Sequence, residues 1–242
     1  VYLLLNVMGK QLFLHSQDDG GGPYESGAYP VVCGQIWYGC FQANKDEMMM
    51  KPTLAFLEDP KVENPVSSPG KWYLENTGYR FVDGLFTASP LLAMLYQMTG
   101  DEKYVDWMNA CFWDVHKEIF DRDAGLFYRD ARSKPRKTKK GKKVLWSRGN
   151  GWAFGGLTRI LKYLPVEHPS YPKYKSLYLQ MAESLAKRQQ ADGFWRSNLD
   201  DPEQYPMKES SGTGFFCYGI AWGINTGILE LSLIHISEPT RQ

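Results

Sequence analysis

The sequence lacks the features that mark several large classes of protein. No stretch reaches the roughly 18 consecutive apolar residues of a membrane-spanning helix, so we expect no membrane partner. Its four histidines and four cysteines are scattered, with neither a Cys-x-x-Cys pair nor metal-ligand spacing, so we expect no metal and no cofactor. The cysteines are predicted to act as small apolar residues: Cys33, Cys40, Cys111 and Cys217.

Apolar and aromatic residues, by contrast, are plentiful. Of the 242 residues, 43% are hydrophobic and 23% are charged, a composition typical of a globular domain with a substantial core. Aromatic residues make up 14% of the chain, including eight Trp and fifteen Tyr. Most aromatic rings pack in cores, but sugars and other flat ligands also stack on them. The composition therefore predicts one domain and leaves room for a ligand groove lined by rings.

Positive charge is concentrated in one short segment. The net charge is only +1, yet residues 132–143 contain eight Lys or Arg and no acid, which leaves 20 basic and 27 acidic residues elsewhere. A nucleic-acid-binding surface spreads its positive charge over a face, so we expect no nucleic-acid partner. The segment is predicted to be a solvated loop, with attraction of a polyanionic substrate as the alternative interpretation.

Apolar residues recur with helical spacing along most of the chain. One-sided helices are predicted over 101–120, with Thr99 or Asp101 as N-cap, and over 174–190. Other helices begin near Gly84, Gly151 and Gly214 and are apolar on nearly every side, which is typical of buried helices. We therefore predict an all-α fold in which inner and outer helices alternate. A toroid of helical hairpins is favoured over an open α-solenoid.

Polar residues stand where the predicted inner helices begin. Asp83 follows Phe81, residues 146–152 read WSRGNGW, and residues 209–214 read ESSGTG. In a toroid these three segments would meet at one end of the axis. Asp83 by itself is most simply an N-cap. Between aromatic side chains, however, its carboxyl would lose hydration and its pKa would rise, so that it could donate and recover a proton near neutral pH.

The same segments contain groups suited to an acidic sugar. The planar guanidinium of Arg148 matches a carboxylate, and an indole such as that of Trp146 offers a stacking surface. Ser211 and Thr213, at a helix N-terminus, are predicted to form a second site for an anion. These residues together predict binding of an acidic oligosaccharide.

In order and spacing, these motifs resemble those of the unsaturated uronyl hydrolases, especially glycoside hydrolase family 105 and the related family 88. The matching segments are 82–86 (VDGLF), 146–152 (WSRGNGW), 189–195 (QQADGFW), 210–216 (SSGTGFF) and 221–225 (AWGIN). The resemblance implies an incomplete (α/α)6 toroid. Residues 1–230 would form a partial hydrolase domain with about four of the six hairpins, truncated at both ends.

The resemblance also implies a reaction. Such enzymes act on pectin-type oligosaccharides already cut by a lyase, and they hydrate the C4=C5 double bond of the terminal uronic acid, which releases it from its neighbour. By resemblance Asp83 is the general acid and base, and Arg129 stands where many relatives have a histidine. The residues predicted to bind substrate are Phe81, Arg129, Trp146, Arg148, Asn150, Trp152, Ser211 and Thr213.

Two other functions stay open at this point. One is a conventional inverting glycosidase, which needs a second carboxylate opposite Asp83, with Glu209 or Asp130 as candidates. The other is a protein that binds uronate oligosaccharides without catalysis. Residues 231–242 resemble the translation of a sequencing adapter and are predicted not to be native. The sequence leaves cytoplasm and periplasm open as locations.

Overall fold

The computed structural model describes residues 28–58 and 81–230, except for the side chains of 28–32 and 52. This described part is mainly helical, which confirms the all-α prediction. None of its helices is long and apolar enough to cross a bilayer. The C-terminal segment predicted to be non-native, 231–242, lies outside the described residues. The helices are α1 (Ala28–Asn44), α2 (Lys51–Glu58), α3 (Gly84–Thr87), α4 (Ser89–Thr99), α5 (Lys103–Ile119), α6 (Ser147–Tyr163), α7 (Tyr171–Ala186) and α8 (Ser210–Asn225).

The remaining regular structure is short. Two antiparallel pairs of strands join the helices, β1 (Phe120–Asp121) with β2 (Leu126–Phe127) and β3 (Trp195–Arg196) with β4 (Lys208–Glu209). Single 3₁₀ turns lie at Glu47–Met49 and Ala131–Ser133. Both strand pairs lead towards the start of an inner helix, so they help to position the loops at that end of the fold.

The long helices form two layers. Helices α1, α4, α6 and α8 pack side by side in chain order, while α2, α5 and α7 each cover the inner helix that precedes them. This alternation agrees with the predicted inner and outer helices. Closure of the inner layer into a ring of six hairpins stays a prediction.

The outer helix α5 shows why these residues fold as they do. Its start is held by Asp101, whose carboxylate accepts a hydrogen bond from the backbone N–H of Lys103 (3.0 Å). Its buried residues recur every three or four positions, so one face of the helix enters the core. They are Tyr104, Val105, Met108, Cys111, Phe112, Val115 and Ile119. The predicted helix at 101–120 is therefore confirmed to within two residues at its start.

The inner layer differs because α4 is buried on all sides over residues 89–95. Pro90 lies in the first turn of α4, where a missing backbone N–H costs nothing. The single helix expected to begin at Asp83 is consequently two helices, α3 and α4.

Helix α3, which follows Asp83, is held from two sides. A side chain at position 156 of α6 would overlap the carbonyl oxygen of Leu85, so only glycine allows α3 to lie directly on α6. From the other side, the Gln35 amide of α1 donates hydrogen bonds to the carbonyl groups of Phe86 (2.8 Å) and Thr87 (2.9 Å). The position of Asp83 is thus set by rigid neighbours.

Candidate active site

Asp83 lies just before α3. It is at the same end of the inner layer as the segment that follows β2. The backbone N–H of Val82 donates to the carbonyl oxygen of Arg129 (3.0 Å), which places these two segments side by side. Asp83 occupies the N-cap position, but its side chain makes no capping hydrogen bond. Capping, the simplest interpretation of this residue, therefore does not account for its carboxyl group.

Burial changes the chemistry of this carboxyl group. Desolvation raises the pKa of Asp83 above its ordinary value, because a charged carboxylate is poorly stabilised away from water. A backbone hydrogen bond and the positive charges of Arg148 and Arg129 oppose this shift, but burial has the larger effect. Asp83 is thus an acid that holds its proton more tightly than a solvated aspartate, with two guanidinium groups nearby.

Trp146 and Arg148 form the second part of the site. The Cζ atom of Arg148 lies 4.3 Å from the centre of the Trp146 ring, in a cation–π contact. Gly149 makes room for this ring, because a Cβ atom there would lie 2.6 Å from Trp146 Cε3 and 2.9 Å from Val82 Cγ1. The indole therefore packs next to the residue that precedes Asp83, which brings together three of the residues predicted from the sequence.

Arg129 is held in one orientation by its neighbour. Its Nε and Nη2 atoms both donate to the Oδ2 atom of Asp130, at 3.0 and 2.7 Å, and its Cζ atom lies 5.7 Å from the centre of the Phe81 ring. Asp130 is 0% exposed. Burial alone would raise the pKa of Asp130, but hydrogen bonds from Ser133 and Arg129 outweigh it and lower that pKa. A carboxylate committed in this way is not placed to serve as a second catalytic acid.

Asn150 has a different place from the one predicted. Its side chain is 0% exposed, and its amide is fully engaged. Its Oδ1 atom accepts from the Phe127 N–H (2.8 Å), while Nδ2 donates to the carbonyl oxygens of Phe127 (2.9 Å) and Trp146 (3.0 Å). The predicted contact with substrate is corrected accordingly, because no polar atom of Asn150 is left to face a ligand. The residue instead fixes β2, and thus Arg129, against the start of α6.

The start of α8 also departs from the prediction. The carboxylate of Glu209 accepts hydrogen bonds from the N–H groups of Ser211 (3.1 Å) and Gly212 (2.6 Å) and from the Ser211 hydroxyl. The Thr213 hydroxyl donates a hydrogen bond to the backbone carbonyl oxygen of Glu209 (2.6 Å) and accepts one from the backbone N–H of Trp195 (3.2 Å). The anion site predicted at Ser211 and Thr213 is therefore already filled by Glu209 itself, which caps the helix.

Trp152 belongs to a cluster of three rings, one from each of α3, α6 and α8. Its ring centre lies 5.0 Å from that of Phe86 and 4.7 Å from that of Phe215, and all three side chains are partly exposed. Sequence reasoning missed Phe86 and Phe215 as site residues. Their position beside the small residues that begin each inner helix was the signal that could have found them.

The site therefore combines one desolvated acid, two oriented guanidinium groups and several aromatic faces. Among residues 28–58 and 81–230, no three His, Cys, Asp or Glu side chains come together as a metal site. This arrangement can bind a carboxylate, stack a sugar ring and exchange a proton with it.

The chain is similar in sequence to a known protein family and to proteins of known function. The family model described as Glycosyl Hydrolase Family 88 matches residues 10–238. Two curated relatives are named unsaturated 3S-rhamnoglycuronyl hydrolase. The one from Alteromonas sp. (strain LOR) is 41% identical over 67% of this chain and 40% of its own length. The one from Formosa agariphila is 34% identical over 81% of this chain and 54% of its own length. The chain thus spans about half the length of these relatives.

A solved structure shares both sequence and fold with this chain. The glycosyl hydrolase family 88 protein from Bacteroides vulgatus is 33% identical and superimposes with a TM-score of 0.79. The similarity covers 88% of this chain and 59% of that protein.

Proposed function

The chain belongs to glycosyl hydrolase family 88, and on this basis we propose that the protein releases a 4,5-unsaturated uronic acid from an oligosaccharide by hydrating the C4=C5 double bond. Family 88 is the second of the two families that the sequence motifs indicated. The observation that carries the proposal is Asp83, an uncapped carboxyl group whose pKa burial raises, beside Trp146 and two guanidinium groups.

The names of the relatives narrow the class of substrate. Both relatives are named unsaturated 3S-rhamnoglycuronyl hydrolase. We extend this to the present chain and propose an unsaturated glycuronyl unit joined to a rhamnose as the substrate, within the broader class of lyase-generated, pectin-type oligosaccharides. Such a substrate is acidic, in agreement with the guanidinium groups at the site.

In the proposed complex, the unsaturated ring stacks on Trp146 and its carboxylate pairs with Arg148. Arg129, held by Asp130, faces the same space together with Phe81. Trp152 and its two partner rings provide a further stacking surface. Asn150, Ser211 and Thr213 support the site without touching the substrate, because their polar atoms are engaged within the protein.

Asp83 then acts twice. Its carboxyl group donates a proton to C4, and a water molecule adds at C5 while giving a proton back to the same carboxylate. The hemiketal formed at C5 opens and the neighbouring sugar leaves. The proton lost in the first step is regained in the second, so the reaction needs no second carboxylate. This agrees with the engagement of Asp130 and Glu209 elsewhere in the protein.

The raised pKa of Asp83 is suited to this role. A carboxyl group that keeps its proton to higher pH is a competent acid over a wider range. Arg148 and Arg129 serve a second purpose, since they offset repulsion between the substrate carboxylate and the ionised form of Asp83. We further propose that residues 1–230 form part of an (α/α)6 toroid, with α1, α4, α6 and α8 as consecutive inner helices.

The test uses the full-length protein and an unsaturated glycuronyl–rhamnose disaccharide. We expect the ultraviolet absorbance of the conjugated double bond to disappear as free sugar is released. The saturated disaccharide serves as the matched control and should remain intact, because it has no double bond to protonate. Cleavage of both substrates would instead indicate a conventional glycosidase. Binding without loss of absorbance would indicate a non-catalytic protein.

A further inference from the structure

The basic segment is largely solvent-exposed, as the sequence predicted, and it folds back on itself as a hairpin. We call residues 134–143 the basic hairpin. Lys137 and Lys143 pair across it in an antiparallel bridge, and the N–H of Thr138 donates to the carbonyl oxygen of Lys142 (2.9 Å). Gly141 closes the turn with a φ of 73°, a conformation that glycine adopts without strain.

Several of its cations anchor the hairpin to the rest of the fold. Lys143 Nζ pairs with the carboxylate of Asp121 at 2.7 Å, and Lys134 Nζ donates to the Glu118 carbonyl (3.0 Å). Near the tip, Lys140 forms an ion pair with Glu203, in the segment that leads to α8. The hairpin is thus attached at its base and at its tip, so its remaining charges have a defined place.

The hairpin is connected at both ends to segments of the candidate active site. It begins shortly after Arg129 and ends just before Trp146, and both of these residues flank Asp83. The amide of Asn150 joins the two sides, since it bonds to Phe127 and to Trp146. The two stems of the hairpin are therefore held next to each other, close in sequence to Arg129 and Trp146.

Four cations of the hairpin remain on its surface: Arg136, Lys137, Lys139 and Lys142 are all exposed. Within the described part of the chain, none of the four pairs with an acidic side chain. Four positive charges on one short hairpin act together in attracting an anion. The rest of the sequence has more acidic than basic residues, so this attraction for anions is local.

We propose that the basic hairpin binds the anionic sugars that follow the cleaved bond, so that the enzyme prefers long charged oligosaccharides to disaccharides. The inference rests on the proposed function. It follows from the chemistry of the substrate, because a C4=C5 double bond leaves no sugar attached at C4. The unsaturated unit is therefore always terminal, and the rest of the oligosaccharide extends from it in one direction, away from Asp83.

The test compares substrates of different length. A variant with all four surface cations replaced by Gln (Arg136→Gln, Lys137→Gln, Lys139→Gln and Lys142→Gln) is assayed on the unsaturated disaccharide and on the hexasaccharide of the same polyanionic glycan. We expect kcat/KM for the hexasaccharide to fall about eightfold, mainly through KM, because four exposed ion pairs that each contribute a factor of about 1.7 together give this change. The disaccharide should change by less than about twofold.

The matched control removes four exposed lysines elsewhere, with Gln at Lys51, Lys117, Lys162 and Lys187. It should retain the preference for the hexasaccharide, and that preference should weaken in high salt for both the parent protein and the control. Equal losses on disaccharide and hexasaccharide, or no preference for length in the parent protein, would overturn the inference while leaving the proposed chemistry intact.

Direct binding separates this inference from the proposed function. The hexasaccharide is titrated into Asp83→Asn with and without the four hairpin substitutions, which requires no turnover. Weaker binding only in the combined variant supports the hairpin even if the parent protein hydrolyses nothing. Single-stranded DNA of the same total charge is the competitor. Equal dependence of DNA binding on the four cations would show a general polyanion site and contradict the proposal.

Discussion

Asp83 and Glu209 both stand immediately before a helix, α3 and α8 respectively, yet their carboxyl groups are engaged differently. Glu209 has an extended backbone (φ −104°, ψ 115°), and its carboxylate accepts hydrogen bonds from the first N–H groups of α8. Asp83 already has helical backbone angles (φ −57°, ψ −34°) and caps nothing. An N-cap residue normally requires the extended conformation. The difference in backbone thus accounts for a carboxylate that caps its helix at Glu209 and an uncapped carboxyl group at Asp83.

The comparison shows that an acid at the start of a helix does not have to cap it. A capping carboxylate is committed to the N–H groups that it satisfies. A carboxylate without that support, in a desolvated place, keeps its proton more tightly, as Asp83 does.

The largest effect is expected for Asp83→Asn. Loss of the general acid and base should lower kcat by about 10²–10⁴-fold, measured as the rate at which the double-bond absorbance disappears. The matched substitution Glu209→Gln keeps an acceptor for the cap and should change kcat by less than about tenfold. Comparable losses in both variants would break the contrast between the two acids.

Asp83→Asn should also change the stability of the fold. Because the folded-state pKa of Asp83 is raised, its contribution to stability is complete below the unfolded pKa and is lost as the pH rises through the folded pKa. At neutral pH the ionised side chain therefore destabilises the fold. The Tm of Asp83→Asn should exceed that of the parent protein at pH 7, and the difference should disappear in acid.

Asn150 extends the contrast to a polar residue that is wholly structural. Asn150→Ala leaves the N–H and C=O groups of Phe127 without their buried partner and should lower the free energy of unfolding by about 1–3 kcal/mol in a urea titration. The activity of the remaining folded protein should also fall, because Arg129 and Trp146 lose their common anchor. Asn109→Ala, on the outer helix α5, removes hydrogen bonds to Ser170 and Tyr174 and should cost stability alone.

Removal of the cap at α8 should have a smaller effect. Glu209→Ala is expected to lower the free energy of unfolding by ~0.5–2 kcal/mol, the usual cost of an N-cap. Glu209→Gln should recover part of this loss, since its amide oxygen can still accept a hydrogen bond. Thermal unfolding of the three proteins at neutral pH measures the difference. An unchanged Tm in Glu209→Ala would show that the carboxylate does not support the helix.

The smallest effect concerns the pH profile. The positive charge of Arg148 lowers the pKa of Asp83, so Arg148→Gln should move the Asp83 limb of the kcat/KM profile to higher pH. Arg148→Lys retains the charge but loses the planar stack on Trp146, so it should raise KM without moving the limb. If the limb moved equally in both variants, the positive charge at position 148 would not be the cause of the shift in the pKa of Asp83.

The sequence predicted the helical layers well because their signals are local. The buried face of α5 follows from the spacing of its apolar residues. It did not predict that α3 and α4 are separate helices. That break depends on how α3 packs against Gly156 and Gln35, which are distant in the chain.

The candidate site was predicted in part. The guanidinium groups of Arg148 and Arg129 both affect the pKa of Asp83, and they lie against Trp146 and Phe81, respectively. The helix starts predicted that Phe81, Asp83, Trp146 and Arg148 lie together, whereas Arg129 was expected from the family resemblance. The roles of Asn150, Ser211 and Thr213 were not foreseen, because each is decided by a partner in another segment or by competition with a neighbouring group. Residue type alone does not show whether an amide or hydroxyl group has already been used within the protein. Hydrogen-bond partners 23 residues apart, such as Asn150 and Phe127, appear only in the folded chain.

The amide of Asn150 has a consequence for how relatives of this protein can diverge. This amide joins the two points where the basic hairpin leaves and rejoins the fold. The distance between these points is therefore set by Asn150 and does not depend on the segment between them. Its length and charge can drift between lineages, or be grafted by design, while the separation of its two stems stays constant. New preferences for glycan chains could therefore arise there without rebuilding the catalytic centre.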